Sequence, residues 1–158
     1  IAAGGEQVVP SLVRGGRARG ERIFSEETAQ AVLAMLRKVV TDGTARRLDA
    51  EGYRVGGKTG TADKRHRDRP GYDRTRTRAS FASVFPIPNP QYAMLVLIDE
   101  PTDPETGSRQ ASRSAVPVTA EAIRRIAPLL RLEKKKPEPR PMASAIVEEQ
   151  TITVGLGE

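Results

Sequence analysis

Tyr53-Arg54-Val55-Gly56-Gly57-Lys58-Thr59-Gly60-Thr61-Ala62 is the stretch on which the reading of this sequence turns. Its Tyr, Val and Thr residues favour extended backbone, and the interspersed glycines suit a strand that another group approaches closely. Lys58 supplies a cation, Thr59 and Thr61 supply hydroxyl donors, and Gly60 removes a side chain that would block a ligand. Such an edge fits an acyl substrate bearing a carboxylate, and it can offer a backbone N–H to an oxyanion developing during acyl transfer.

A second pattern overlaps the first. Gly52 to Thr59 satisfies G-x-x-x-x-G-K-[ST], the phosphate-binding loop. That loop works only where a buried strand enters it and a helix leaves it, so that backbone N–H groups face the phosphates. Arg46 to Glu51 is not an apolar strand, and Gly60 to Arg65 runs into polar residues. A nucleotide binder is therefore the minor alternative.

On the N-terminal side, Ser25 is a suitable helix cap, Glu26 and Glu27 favour the positive end of a helix, and Ala29, Val32, Leu33, Leu36, Val39 and Val40 recur at helical spacing. Arg37 and Lys38 suit its C-terminal end, and Gly43 closes it. Before it, Gln7 to Val13 reads as a short extended segment.

On the C-terminal side, residues 64–78 carry Lys64, Arg65, Arg67, Arg69, Arg74, Arg76 and Arg78 against Asp68 and Asp73, and read as a solvated basic loop. Ser80 to Phe85 and Tyr92 to Ile98 then form an expected antiparallel hairpin, the second strand being apolar enough to be buried on both faces. Phe81, Phe85, Leu95 and Leu97 are expected core. Asp99 and Glu100 are adjacent, so on a strand they would point to opposite faces, and a turn role is expected. A last helix opens near Pro117, carries Ala120, Ile123, Ile126, Ala127 and Leu130, and ends or bends at Pro128. The order of elements predicts an α+β fold, an antiparallel sheet covered by helices. Residues 1–132 would be one domain, and residues 133–158, opening with a Lys/Pro-rich run, a disordered tail.

Composition narrows the chemistry. The chain has 158 residues, 14 Gly, 12 Pro, no cysteine, one histidine (His66) and a formal net charge of +6. Disulfides are excluded, and neither a metal site nor a cofactor is expected. The basic residues would suit an anionic polymer, which keeps open a non-catalytic polymer-binding module; no aromatic ladder for base stacking accompanies them, so no nucleic acid is expected. No apolar run is long enough to span a bilayer, and Ile1 in place of methionine suggests a piece of a longer polypeptide.

Several pieces in order carry a resemblance. They are Thr41-Asp42-Gly43-Thr44-Ala45, then Tyr53 to Ala62, then Ser80-Phe81-Ala82-Ser83-Val84-Phe85-Pro86, then Asn89-Pro90-Gln91-Tyr92, then Val96-Leu97-Ile98-Asp99-Glu100-Pro101. Together they resemble the C-terminal part of the transpeptidase domain of class B penicillin-binding proteins, particularly the cell-division enzyme that cross-links septal peptidoglycan. The resemblance implies the penicillin-binding-protein/serine β-lactamase-like fold. It also implies a serine acyl-enzyme formed with a peptidoglycan stem peptide, β-lactams as substrate mimics, and cell-division membrane proteins as candidate partners. The expected location is the periplasmic or extracytoplasmic face of the bacterial inner membrane, with an N-terminal anchor outside this chain.

Family chemistry uses S-x-x-K, an S-x-N or similar motif, and K-T-G. Only the third is present, at Lys58-Thr59-Gly60. The nearest approach to the first, Ser11-Leu12-Val13-Arg14, ends in arginine, which cannot serve as a base. The fragment alone is therefore expected to be inactive, with its nucleophile upstream of Ile1. By resemblance, Lys58 and Thr61 are the catalytic candidates, Lys58 tuning proton transfer and the Thr61 N–H completing the oxyanion hole. Lys58, Thr59, Gly60 and Thr61 together form the substrate-binding set. Gly107 to Arg113 departs from the glycine- and aromatic-rich turn the family would place there.

Overall fold

The computed structural model describes residues 1–13 and 19–134. Two short strands, β1 (Glu6–Val8) and β2 (Arg19–Arg22), pair antiparallel at the N-terminus. Helix α1 (Glu26–Thr41) follows. Ser25 caps it by accepting the Thr28 N–H at 3.2 Å, and the Gly43 N–H closes it on the Lys38 carbonyl at 3.1 Å. Arg37 does more than suit the C-terminal end of the helix. Its guanidinium is buried and donates to the Val55 carbonyl at 3.1 Å, tying α1 to the chain just before the site strand.

A 3-10 turn over Arg46–Glu51 leads to β3 (Gly56–Arg65), which pairs antiparallel with β4 (Tyr72–Phe85), which in turn pairs with β5 (Tyr92–Asp99). The strand order is β3-β4-β5, so β3 lies at the sheet edge among the described residues. A second 3-10 turn, Ala111–Arg113, precedes α2 (Ala115–Ile126), which has Pro117 in its first turn and ends just before Pro128. The α+β expectation holds: α2 packs on β4 and β5, and α1 on β3. Phe81 and Phe85 are fully buried in a core with Val40, Leu48, Val55, Val116 and Ile123.

Three expectations need correction. The first concerns β5, which is buried on one face only: Tyr92, Met94, Val96 and Ile98 pack against the core, while Leu95 and Leu97 are 66% and 52% exposed. An unbroken apolar run is ambiguous between one-sided and two-sided burial, and here α2 covers one side. Leu95 and Leu97 are therefore not core.

The second concerns the basic stretch 64–78, which is mostly strand. β3 runs out to Arg65 and β4 starts at Tyr72, leaving a short turn around His66–Gly71. Ion pairs to the end of β5 hold this extension in place. Lys64 Nζ lies 2.8 Å from Asp99 Oδ2 and 2.6 Å from Glu100 Oε1, Arg76 Nη2 lies 2.6 Å from Glu100 Oε1, and Arg78 Nε lies 3.3 Å from Asp99 Oδ1. Asp99 and Glu100 thus close the hairpin base, with Glu100 turning the chain at φ 51°.

The third concerns the phosphate-loop alternative, which fails on geometry. Gly56 to Thr61 is extended and hydrogen-bonded to β4, with a 3-10 turn before it and no helix after it. A short extended segment near Gln7 is present as β1, though it covers only Glu6–Val8. Arg14, which ends the nearest S-x-x-K approach, and the expected tail from residue 135 onward lie outside the described residues.

Candidate active-site strand

The four residues singled out by sequence fall consecutively on β3. Side chains alternate across a strand, so Lys58 shares a face with Gly60, and Thr59 shares the opposite face with Thr61. The register agrees: Lys58 pairs with exposed Ala82, whereas Thr59 and Thr61 pair with buried Phe81 and Ala79.

Lys58 is exposed and its Nζ donates to the Thr59 carbonyl at 2.9 Å. It borders an open groove of about 490 Å³ whose other walls, Ile1, Leu36, Ala82 and Leu95 among them, are apolar apart from Ser83. On the other face, the Thr59 and Thr44 hydroxyls are 3.2 Å apart, and the Thr61 hydroxyl accepts the Ala111 N–H at 3.3 Å. A ligand touching Lys58 and both threonines must therefore lie along the edge of β3, where side chains from both faces reach round.

Glycine shapes the same edge. A Cβ at Gly57 would stand 2.5 Å from the Ala82 carbonyl oxygen and 2.5 Å from the Phe81 ring, so β3 can pair closely with β4 only with glycine there. At Gly60 a Cβ would meet Ser80 Oγ at 2.7 Å, on the face shared with Lys58.

Thr44 and Ala111 are neighbours of the strand that sequence reasoning did not place in the site. Thr44 had a signal, since it sits in the Thr41–Ala45 piece. Ala111 had none, because its contribution is a backbone N–H brought in across fifty residues of chain. Among the described residues no group of three or more His, Asp or Glu side chains is clustered as a metal site, and no helix is long and apolar enough to cross a membrane.

The penicillin-binding protein transpeptidase domain model matches residues 1–126, which include every strand, helix and 3-10 turn described above. The chain belongs to the penicillin-binding protein transpeptidase family. Among the relatives of this transpeptidase domain, a peptidoglycan D,D-transpeptidase FtsI homolog of Chlorokybus atmophyticus is 40% identical over 119 residues, covering 75% of this chain and 16% of the relative. A probable peptidoglycan D,D-transpeptidase FtsI of Caulobacter vibrioides is 34% identical over 144 residues, covering 84% of this chain and 24% of the relative. The transpeptidase domain of Burkholderia pseudomallei penicillin-binding protein 3 superposes with a TM-score of 0.64 at 37% identity, covering 81% of this chain and 39% of that one. Penicillin-binding protein 3 of Mycobacterium tuberculosis, solved in complex with ampicillin, superposes with a TM-score of 0.66 at 25% identity, over 87% of this chain and 34% of that one. The chain thus spans about a sixth to a quarter of these curated relatives, and under two fifths of the solved transpeptidase chains.

Proposed function

We propose that this chain supplies the substrate-binding strand of a serine-type peptidoglycan D,D-transpeptidase, working in cell division at the outer face of the bacterial cytoplasmic membrane. The observation that carries the reading is the placement of Lys58-Thr59-Gly60-Thr61 on the free edge of β3, with cation and hydroxyls disposed around one edge. The relatives named peptidoglycan D,D-transpeptidase support the activity, and the ampicillin complex of a structural neighbour supports β-lactams as ligands.

In the proposed reaction a serine oxygen attacks the carbonyl carbon of the penultimate D-alanine of a stem peptide. The peptide bond breaks, the terminal D-alanine leaves as an amine that gains a proton, and the acyl group stays on the serine as an ester. An amine of a neighbouring strand then attacks the ester, loses its proton and releases the serine. Lys58 neutralises the substrate carboxylate and favours proton transfer at the serine. The Thr59 and Thr61 hydroxyls hydrogen-bond that carboxylate, and the Thr61 N–H contributes to the oxyanion hole. The serine comes from outside Ile1–Glu158, because no S-x-x-K occurs here. The part of the domain that carries it packs over the apolar groove beside Lys58, bringing the nucleophile to the edge of β3.

Acylation of the full-length protein by a fluorescent penicillin tests the reading. Lys58→Ala is expected to slow acylation by roughly a hundredfold, the size of loss typical when one oxyanion-site or charge-stabilising group is removed. The melting temperature should stay near that of the parent, since Lys58 is exposed. Undiminished acylation would remove Lys58 from the site.

A further inference from the structure

The hairpin that carries the site strand does not stop at the sheet. β3 continues past Thr61 through Ala62, Asp63 and Lys64 to Arg65, so the tip begins about 13 Å from Thr61 at a strand's rise of about 3.3 Å per residue. Lys64, Arg76 and Arg78 are engaged at its base by Asp99 and Glu100. Asp99 and Glu100 are thereby engaged at the base of the hairpin, and among the described residues neither forms an ion pair with the arginines beyond it.

Arg65, Arg67, Arg69 and Arg74 are exposed at this tip. The only acids among them are Asp68 and Asp73, and one Asp73 oxygen is already occupied by the Thr75 N–H at 2.9 Å and the Thr75 hydroxyl at 2.6 Å. Arg74 lies where three β4 residues loop out between the pairs Asp63↔Thr77 and Lys64↔Asp73, and such a bulge re-aims side chains. The result is an excess of guanidinium on a braced hairpin, collinear with the strand that holds Lys58.

We propose that this tip is an anion subsite that binds free carboxylates of a polymeric peptide substrate lying along the edge of β3. The proposal rests on the reading of β3 as the transpeptidase's substrate strand and extends it: a long, carboxylate-bearing substrate is held at two places, at Lys58 and about a strand's length away. Guanidinium is the group best matched to carboxylate, through paired N–H donors. Nucleic acid fits less well, because the one aromatic ring at the tip, Tyr72, already has the Arg65 guanidinium 6.0 Å from its centroid. A membrane surface also fits less well, because Tyr72 is the sole large apolar side chain exposed on residues 65–75.

Sedimentation of the full-length protein with isolated peptidoglycan tests this, alongside penicillin acylation as a readout confined to the Lys58 end. The triple variant Arg67→Gln, Arg69→Gln, Arg74→Gln is expected to need roughly tenfold more peptidoglycan for half-binding, from the combined loss of three exposed charge contacts. Its penicillin acylation should match the parent, which also shows that it is folded. Peptidoglycan whose carboxylates have been converted to amides should bind the parent as weakly as native peptidoglycan binds the variant, and raised salt should erase the difference. Parent-like sedimentation of the variant, or indifference of the parent to amidation, would overturn the subsite. So would an equal loss on phosphatidylglycerol vesicles or single-stranded DNA, which would make the tip a general polyanion contact. If the parent failed to react with penicillin while the variant still lost peptidoglycan binding, the tip would stand and the catalytic reading of β3 would fall.

Discussion

Gly57 precedes the reactive-looking lysine and controls where that lysine stands. The nearest obstacles to a Cβ there are a backbone carbonyl, of Ala82, and the buried Phe81 ring, neither of which can swing aside like a surface side chain. Gly57→Ala must therefore push β3 away from β4 or displace the ring. Overpacking of this kind costs about 1–3 kcal/mol. Thermal denaturation should show that loss, and penicillin acylation of the full-length variant should fall with it, because Lys58 moves with the strand. Gly60→Ala meets only the Ser80 hydroxyl, which can rotate, so its stability loss should be the smaller of the two. The reverse ranking in melting temperature would mean that β3 is not held as tightly at Gly57 as its register implies. Lys58, Thr59, Gly60 and Thr61 could be picked out from sequence because their chemistry is local: four adjacent residues on one strand. Thr44 stood in a recognisable piece, Thr41–Ala45, but its hydroxyl contact with Thr59 across fifteen residues could not be read from it, and the Ala111 N–H, brought in across fifty, left no signal at all, because both are products of packing.

At the scale of elements, α1 was legible for the same local reason: a serine cap, acids in the first turn and a 3.6-residue apolar period all agree. The outer half of β4 was not. Within Tyr72 to Arg78, arginine alternates with threonine from Arg74 onward, which reads as solvated loop, and what makes it strand is pairing to β3 together with charges on the far end of β5. That dependence gives the hairpin a pH signature. The Lys64 ammonium holds the Asp99 carboxyl below its ordinary range, and Arg76, then Lys64, do the same for Glu100. A carboxyl with a lowered folded-state pKa contributes stability that is present above its unfolded pKa and is lost as pH falls through the folded value. Amide exchange across residues 62–66 and 72–78 should therefore quicken as pH drops below about 4, after correction for intrinsic rates, ahead of exchange in the Phe81–Phe85 core. High salt at neutral pH should weaken the same protection, since Asp99 and Glu100 are exposed and Lys64 and Arg76 partly so. Hairpin protection unchanged from pH 6 to pH 3 would show that the backbone ladder alone holds it.

Among the described residues the sheet has one covered and one open face. Leu95 is 66% exposed and Leu97 52%, and Leu95 sits with Leu36 beside the groove at Lys58. From sequence, both leucines looked like core, and the error is informative: their apolar character suits a buried environment that α1 and α2 do not provide. Contiguous apolar surface of this kind drives association when left in water. The 158-residue chain produced alone should therefore run larger than a monomer by light scattering at micromolar concentration. The double variant Leu95→Lys, Leu97→Lys should shift it toward monomer, because charges on that face cannot be buried without a partner. In the full-length protein the same substitutions should act oppositely, lowering the melting temperature, if the remainder of the transpeptidase domain covers the face as proposed. A monomeric parent chain, or a double variant that leaves the full-length protein's stability untouched, would mean that this face is built for water and that the serine-bearing part of the domain docks elsewhere.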